Sequence, residues 1–365
     1  MAKFAFVIHP IYHKDILKKF PFLEKCPPKL IQQIFKRLPP FKVSHIEGIE
    51  SPYNATGGWF VACPLSSEQI MSLPEDFVMH KIIQAVRKAE KLGADIVGLG
   101  ALTAVVGDAG ETIQKHVDIP VTTGNSYTVA TALEAVQTAC DMMGYDYKQV
   151  RVAIIGASGS IGSVVAKRMA KDVRYLSLIG RNKSKLEPLA ESIYQESGLA
   201  AKVSSSVKQC VSNADVVIAV TGAVDTVING EELKPGAIVC DVARPRDVSW
   251  RVAETRDDVL VIEGGIVEVP GDVQFNFNFG FPPKTAYACM AETMILALEN
   301  RLESYSLGRN LTVDQIDEMS RLATKHGFKL AGFRSFERAV DQGTIDRIKK
   351  NIKRGEQIAT YHNRL

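Results

Sequence analysis

The chain has 365 residues, 46% of them hydrophobic and 23% charged, an ordinary composition for a soluble globular protein with length enough for two domains. No segment approaches the roughly 20 apolar residues of a transmembrane helix, and the start, MAKFAFVIHPIYHKD, has too short an apolar run for a secretory signal peptide. The six cysteines are widely spaced without a C-x-x-C pair, which fits neither a disulfide framework nor a zinc site. A reduced, cytoplasmic enzyme without a bound metal is therefore expected.

The net charge of +3 is unevenly distributed along the chain. Residues 1–50 contain nine Lys and Arg against four Asp and Glu, and residues 321–365 contain eleven against four. Basic ends of this kind are either solvated surface or contacts for an acidic protein or an anionic membrane. Aromatic residues are not interleaved with the basic ones, which argues against nucleic acid as a partner.

Residues 1–149 are predicted to form an α/β domain that binds the substrate. Strand-like and helical segments alternate there in the order KFAFVIHP, FKVSHIEGI, GWFVACPL, DFVMHKIIQAVRKAEKLG, ADIVGLGAL, IPVTTG and SYTVATALEAVQTACDMMG. Two loops, GLGALTAVVGDAG and VTTGNSYT, follow predicted strands, where ligands tend to bind in such sheets. In the second loop, Thr123 and Asn125 are candidate donors to a substrate carbonyl or a nicotinamide amide; otherwise they cap the next helix.

Residues 150–282 alternate strand and helix regularly, beginning with RVAIIGASGSIGSVVAKRMA. The strand segments YLSLIGR, ADVVIAVTG, AIVCDVARP and VLVIEGGIV are apolar runs, typical of parallel strands covered by helices. The predicted fold class is therefore α/β, with a doubly wound parallel sheet of the Rossmann type in this second domain. Residues 283–365 are predicted to form a mostly helical C-terminal region.

The segment GASGSIG has the spacing G-x-x-G-x-x-G and lies between an apolar strand and a helix. Glycines let the backbone approach a pyrophosphate, whose negative charge is met by the free N–H groups at the helix start. The strand–loop–helix context makes dinucleotide binding the preferred interpretation. The candidate cofactor-binding residues in this loop are Gly156, Ser158, Gly159, Ser160, Ile161 and Gly162.

The next predicted strand ends in LIGRNKSKL, where an NAD-specific enzyme usually carries an acidic residue. Arg181 and Asn182 instead offer positive charge and donors to a 2′-phosphate, so NADPH is the predicted cofactor. The alternative is an ordinary helix start with exposed basic residues. Later strand ends supply the candidates for contact with the nicotinamide half, unless they simply form tight turns: Thr221, Gly222, Gly264 and Gly265.

The segment KTAYACMAETMILALENR, residues 284–301, is predicted to be one helix with Cys289 a turn inside its start. On a helical wheel, Cys289 and Glu292 lie on a largely polar face, away from the apolar stripe that contains Ala291 and Met294. A free cysteine is usually a small buried hydrophobe. Near a helix start, however, the dipole stabilises a thiolate and lowers the thiol pKa, which makes a reactive thiol the competing interpretation.

Six motifs then indicate a family resemblance: VTTGNSYT, GASGSIGS, IGRNKSKL, GGIVE, AYACMAET and GRNLTVDQIDEMSRLATKHGFK. Over residues 1–330 the chain resembles the cyanobacterial long-chain acyl-(acyl-carrier-protein) reductases and their bacterial relatives. The resemblance implies an acyl-binding domain beside an NADPH domain, and reduction of a fatty acyl thioester to a fatty aldehyde. Acyl carrier protein or coenzyme A would carry the acyl group, Cys289 would accept it as the catalytic nucleophile, and Tyr287 of the same motif would belong to the substrate site.

A thioester substrate also suits the residues themselves, because the chain has no P-loop sequence with which to activate a free carboxylate by ATP. Thiol exchange with Cys289 would give an acyl-enzyme that hydride can still reduce, and the N–H groups at the helix start could hold the oxyanion. Glu292 is predicted to pair with a basic residue, with a proton shuttle as the alternative. His326 is predicted to be structural.

Two other functions remain open from the sequence. A shikimate-type dehydrogenase would need a lysine–aspartate pair in the first domain, and a glutamyl-tRNA reductase would place its cysteine there, where Cys26 and Cys63 have no persuasive setting. A dinucleotide-binding sensor would bind NADPH without any chemistry that depends on a thiol.

Overall fold

A computed structural model describes residues 1–10, 16–17, 20–221, 227–243, 246–278, 280–336 and 338–362. It confirms the predicted α/β class with a Rossmann-type parallel sheet. The chain forms two compact units: unit 1 comprises residues 1–127, 267–311 and 317–329, and unit 2 comprises residues 128–266, 312–316 and 330–365. These units divide the chain at other residues than the predicted domain limits of 149 and 282.

Unit 1 is built around a six-stranded sheet. The strands that lie wholly or partly in unit 1 are β1 (Phe4–Ile8), β2 (Phe41–Glu50), β3 (Ala55–Ala62), β4 (Ile96–Leu99), β5 (Val121–Thr122), β12 (Ile266–Glu268), β13 (Gly271–Gln274), β14 (Thr285–Tyr287) and β15 (Lys329–Leu330). Its helices are α1 (Pro28–Arg37), α2 (Ser67–Ser72), α3 (Glu75–Lys91), α4 (Glu111–Gln114), α10 (Ala288–Leu298) and most of α11 (Val313–His326), and α5 (Asn125–Met143) begins in it.

The sheet of unit 1 has the strand order β13-β2-β3-β1-β4-β5. Strand β1 runs parallel to β3 and β4, and β4 runs parallel to β5, so these four strands end at the same edge. Strand β13 pairs antiparallel with β2. This pairing explains why the segment that carries Cys289 belongs to unit 1: the chain returns to the first sheet after residue 266.

Helix α10 is the buried central helix of unit 1, where it packs against β4, β1 and β3. Every residue from Ala288 to Leu298 is buried except Cys289, which is half-buried. The predicted helix over 284–301 is therefore too long, because Thr285–Tyr287 forms strand β14 and Asn300, with φ +54°, lies beyond the helix end. Cys289 consequently lies in the first turn of the helix, and its supposedly polar face is buried as well.

Unit 2 contains a second six-stranded sheet, in which all strand pairs are parallel and the order is β11-β10-β9-β6-β7-β8. Its elements are β6 (Arg151–Ile155), α6 (Ser160–Met169), β7 (Tyr175–Ile179), α7 (Lys183–Ser197), β8 (Lys202–Ser204), α8 (Val207–Val211), β9 (Val216–Ala219), β10 (Ile238–Asp241), α9 (Trp250–Thr255), β11 (Leu260–Glu263), β16 (Phe333–Ser335), β17 (Arg338–Val340) and α12 (Gln342–His362). The order reverses beside β6, the strand that precedes the GASGSIG loop, which is where doubly wound sheets bind dinucleotides.

The C-terminal helix α12 does not present an apolar face to solvent over its described side chains. Ile345 and Ile348 are buried, and the side-chain amide of Asn351 donates to the carbonyl of Asp257. These two isoleucines are thus covered by the protein and not available for insertion into lipid. Peripheral membrane contact through the basic residues of this segment stays a prediction. None of the described helices is both long and apolar enough to span a membrane.

The C-terminal end of α10 is held by a buried polar cluster around His326, which is 1% exposed. One carboxylate oxygen of Glu299, the C-cap residue of α10, lies 2.6 Å from both His326 Nε2 and Lys325 Nζ, and His326 Nδ1 lies 2.9 Å from Ser51 Oγ. Burial raises the pKa of the Glu299 carboxyl, but the hydrogen bonds from Lys325 and His326 outweigh it and lower that pKa overall. His326 thus has a structural setting.

This cluster predicts a pH-dependent contribution to stability. A carboxyl with a lowered pKa in the folded state stabilises the fold above its unfolded pKa of about 4.3, and that contribution is lost as the pH falls through the folded value. We expect Glu299→Gln to lower the free energy of unfolding by about 1 kcal/mol at pH 7, a figure that allows for the partly exposed Lys325. In urea titrations the difference from the parent should shrink at pH 3.5, and a difference that is constant with pH would contradict the prediction.

Candidate active site

Cys289 lies at the edge of unit 1 where the parallel strands end, as the second residue of α10. The loop after β5 reaches it through Gly124, whose φ is +74°. A Cβ atom added to Gly124 would lie 2.3 Å from Cys289 Cα and 2.4 Å from Cys289 Cβ. Only glycine allows this approach, so the VTTGNSYT loop and the cysteine of the AYACMAET motif form one site.

The other glycine-rich loop of unit 1 has a different role. A Cβ atom on Gly98 would lie 2.1 Å from Thr293 Oγ1 and 2.5 Å from the Phe6 ring, and one on Gly100 would lie 2.6 Å from the same ring. These two glycines make room for α10 and for a buried aromatic side chain. Their presence is explained by packing without any ligand.

Glu292 lies one turn beyond Cys289 and is fully buried. Its Oε1 accepts hydrogen bonds from Thr122 Oγ1 at 2.5 Å and Ser306 Oγ at 2.8 Å, and its Oε2 accepts one from the backbone N–H of Tyr127 at 2.8 Å. Burial raises the pKa of the Glu292 carboxyl above its ordinary value, while these three hydrogen bonds oppose the rise. The predicted pairing with a basic residue is wrong, because the recorded partners are hydroxyl and amide groups.

The two donors proposed for the substrate differ in availability. The Thr123 hydroxyl is fully buried and donates to the carbonyl of Ser306, so it is occupied within the protein. Asn125 is half-buried at the start of α5, and its side-chain amide makes no hydrogen bond to the part of the chain that the structure describes. Tyr287, the residue before α10, is half-buried with its ring centroid 4.5 Å from that of Phe281. Asn125 is thus the better placed donor.

The remaining cysteines are poorer candidates for a nucleophile. Cys63, Cys140, Cys210 and Cys240 are buried. Burial raises the pKa of both Cys63 and Cys140 to about 12, so these thiols are protonated at neutral pH. Cys26 is half-buried, like Cys289, and has to be controlled for in any thiol chemistry.

The GASGSIG loop of unit 2 has the geometry that a dinucleotide needs. Gly156 adopts φ +86°, and a Cβ on Gly162 would lie 2.3 Å from the Gly156 carbonyl oxygen, so the helix can pack close to the strand end. Gly159 is the N-cap residue of α6 and supplies no side-chain cap. Ser158 and Gly159 are exposed, and Ser160 and Ile161 are half-buried. The first N–H groups of the helix are therefore not capped by a side chain and can bind a pyrophosphate.

The two residues after β7 that were predicted to bind the 2′-phosphate have different settings. Asn182 is the N-cap of α7, where its side-chain oxygen accepts from the Ser184 N–H at 3.0 Å. Arg181 is exposed and makes no ion pair or hydrogen bond to the described residues. Of the two residues predicted to bind the 2′-phosphate, Arg181 therefore has a free charge to offer and Asn182 mainly starts the helix.

The candidates for the nicotinamide half follow β9 and β11. The N–H and hydroxyl of Thr221 both donate to the buried carboxylate of Asp247, which sequence reasoning missed, and Thr221 packs against Gly156. Gly265 adopts φ +83°, and a Cβ on Gly264 would lie 3.1 Å from both Cys240 Sγ and Val242 Cγ2. Crowding and turn geometry thus account for this glycine pair. Gly222 lies outside the described residues.

Comparison with known proteins supports the same reading of unit 2. The family model for shikimate/quinate 5-dehydrogenase matches residues 137–263. The chain is 29% identical to Aminotransferase PigE of Serratia sp., 25% identical to the long-chain acyl-[acyl-carrier-protein] reductase of Synechococcus elongatus, and 28% identical to the glutamyl-tRNA reductase of Methanocaldococcus jannaschii. These alignments cover 95%, 84% and 55% of this chain, which spans 42%, 89% and 48% of the lengths of the three relatives.

The matched dehydrogenase model and the two reductases indicate, together with the parallel sheet and glycine loop of unit 2, that the chain is related to oxidoreductases of the NAD(P)-binding kind. The segment matched by the family model contains the GASGSIG loop and Arg181 but ends before Cys289. It therefore bears on the cofactor and not on the thiol.

Proposed function

We propose that this oxidoreductase uses NADPH to reduce a long-chain fatty acyl thioester to a fatty aldehyde through an acyl-enzyme on Cys289. The observation that carries the proposal is the setting of that thiol. It belongs to the only residue of α10 that is not buried, in the first turn of the helix and against the Gly124 backbone. The similarity to a long-chain acyl-[acyl-carrier-protein] reductase, which extends over 84% of the chain, supports the substrate class.

The first step is thiol exchange at Cys289. Its thiolate attacks the thioester carbonyl, a new C–S bond forms, and the carrier thiolate leaves and takes up a proton. The product is again a thioester, so no ATP or oxidant is required. The helix start favours the anionic form of the sulfur through the positive end of its dipole.

The negative charge that develops on the carbonyl oxygen needs donors. The N–H groups in the first turn of α10 are the proposed donors, because they point out of the helix start and the N-cap residue Tyr287 makes no side-chain cap hydrogen bond to them. The half-buried amide of Asn125 is a second donor, on the loop that contacts Cys289 through Gly124. Thr123 is excluded from the role by its bond to the Ser306 carbonyl.

NADPH would supply the hydride for the acyl carbon. The C–S bond to Cys289 would then break, and the departing thiolate would remain or take up a proton from solvent, so that an aldehyde and free Cys289 result. The residues that would hold it are those of the GASGSIG loop, with Arg181 at the 2′-phosphate. Acyl carrier protein or coenzyme A is the proposed carrier of the acyl group, and the strongly acidic carrier protein would suit the basic N-terminal region.

The alternative chemistries have less support in unit 1. A shikimate-type enzyme needs a lysine beside an aspartate, but the buried Lys81 donates to the carbonyl of Leu38 at 2.9 Å. A glutamyl-tRNA reductase would use a cysteine of the N-terminal region, where burial raises the pKa of Cys63 to about 12 and leaves Cys26 as the remaining candidate. A sensor without turnover would have no use for a thiol in this position, and the following experiment tests that possibility directly.

The role of Cys289 predicts a covalent intermediate. Incubation with a long-chain acyl-CoA or acyl-carrier protein in the absence of NADPH should add one acyl group to Cys289, detected by intact mass and peptide mapping. Addition of NADPH should then release aldehyde. Cys289→Ser should lose both signals, whereas Cys26→Ser, which removes the other half-buried thiol, should keep both. Aldehyde production by Cys289→Ser at the parent rate would rule out the mechanism.

The role of Arg181 predicts selective loss of NADPH affinity. Because a charge-assisted hydrogen bond contributes about 1.5–3 kcal/mol, Arg181→Ala should raise the NADPH Kd at least about tenfold and change the NADH Kd less than about twofold. Both constants can be measured by nicotinamide fluorescence without any acyl substrate. Lys208→Ala, which removes an exposed positive charge elsewhere in unit 2, is the matched control. Equal effects on both cofactors would contradict the assignment.

A further inference from the structure

We propose that Glu292 is a positioning residue. Its carboxyl group clamps residues Thr122–Tyr127, the loop between β5 and α5 with one strand residue and the first helical turn, onto the start of α10 and so fixes Cys289 for acyl transfer. The functional half of this inference, that the clamp serves acyl transfer, rests on the role proposed for Cys289. The structural half, that Glu292 holds the loop in place, does not. Three segments far apart in the chain meet at its carboxyl group: the loop after β5, helix α10 and the Tyr305–Ser306 segment.

All of the recorded partners of the Glu292 carboxyl donate to it. The Thr122 hydroxyl oxygen accepts from the Gly124 N–H at 3.3 Å, so its own proton points to Glu292. The Ser306 hydroxyl oxygen accepts from the Ser126 N–H at 3.3 Å and likewise donates to Glu292. A backbone N–H such as that of Tyr127 can only donate. The site therefore requires a group that only accepts, which a carboxylate is and an amide is not.

The carboxyl group also lies at the N-terminus of α5, a helix of 19 residues. The N–H of Tyr127, in the first turn of that helix, donates to Glu292 Oε2. A negative charge at this end is favoured by the helix dipole, and the three donors offset part of the cost of burying it. Glu292 thus accepts from an N–H in the first turn of α5 although it lies on another helix.

The clamp reaches Cys289 through the backbone. Gly124 lies inside the clamped loop, between Thr122 and Tyr127, and its Cα is in van der Waals contact with the Cys289 main chain, where no Cβ would fit. Asn125, the proposed donor to the substrate, is the next residue. If the loop moved, the surroundings of the thiol and the position of this donor would change together. Effects of this kind fall on acyl transfer more than on the intrinsic reactivity of the sulfur.

Glu299 provides a control, because it is a partly buried carboxylate at the C-cap of the same helix, at the end opposite Cys289. Its partners, Lys325 and His326, lie outside the clamp. The same change, Glu to Gln, can therefore be made at both ends of α10. A second pair of variants avoids replacing the carboxyl: Thr122→Val removes one donor with little change in shape, and Thr122→Ser keeps it.

Hydrogen–deuterium exchange of the amides in residues 122–127 tests the clamp without substrate or cofactor. We expect Glu292→Gln and Thr122→Val to exchange at least about fivefold faster than the parent there, since loss of a bond to a buried charged group leaves its partners unsatisfied. Thr122→Ser and Glu299→Gln should exchange like the parent in this segment. Unchanged exchange in Glu292→Gln would overturn the clamp; if that variant does not fold, the Thr122 pair decides.

The functional half is tested in a Cys26→Ser background by comparing two reactions of Cys289: acylation by a long-chain acyl-CoA or acyl-carrier protein, and alkylation by iodoacetamide. In Glu292→Gln and Thr122→Val we expect acylation to slow at least about tenfold, while alkylation by the small reagent stays at the parent rate or increases. A loosened loop with unchanged acylation would overturn the positioning role. If the parent takes up no acyl group, the proposed function fails, and the exchange result still decides on the clamp.

Discussion

The geometry of the candidate site in unit 1 depends on the hydrogen bonds that the buried carboxyl group of Glu292 accepts. Removing an ionised carboxylate from water costs several kcal/mol even after the protein relaxes, so such a group persists only where donors surround it. Here three donors from two other segments converge on it. The helix with the thiol, the loop after β5 and the Ser306 turn are therefore held as one assembly, and a change in any one of them leaves buried polar groups without partners.

The same residue type has different physical roles in the two units. In unit 2, Gly156 and Gly162 bring a helix start close to a strand end, which leaves room and uncapped N–H groups for a pyrophosphate. In unit 1, Gly98 and Gly100 accommodate Thr293 and the Phe6 ring, and Gly124 accommodates the Cys289 main chain. A glycine-rich loop at a strand end therefore indicates that some other group lies close to the backbone of the loop. Whether that group is a ligand or another part of the protein is known only from the structure.

The similarity to the dehydrogenase family model concerns unit 2 and not the candidate site in unit 1. The segment matched by the dehydrogenase family model lies within residues 137–263 and contains the cofactor motif, whereas Cys289, Glu292 and the loop after β5 lie outside it. The similarity to NAD(P)-binding oxidoreductases thus rests mainly on unit 2, and the proposed thioester chemistry depends on unit 1. Asp247 shows that unit 2 also contains a supporting carboxylate, since it holds Thr221 against the glycine loop.

The sequence by itself determined the α/β class and the glycine loop, because these depend on local patterns: apolar strands and glycine spacing. It also led to the predictions for Arg181, from a charge next to a strand end, and for Cys289, from a motif shared with a family. Only the tertiary structure decided the partners of Glu292, the occupation of Thr123 and the start of α10 at Ala288. The physical reason is distance along the chain. Thr122 and Glu292 are 170 residues apart, and Thr123 and Ser306 are 183 apart, so no periodicity or motif reports that their polar atoms meet. Hydrogen bonds between such residues become visible only once the sheet has brought the segments together.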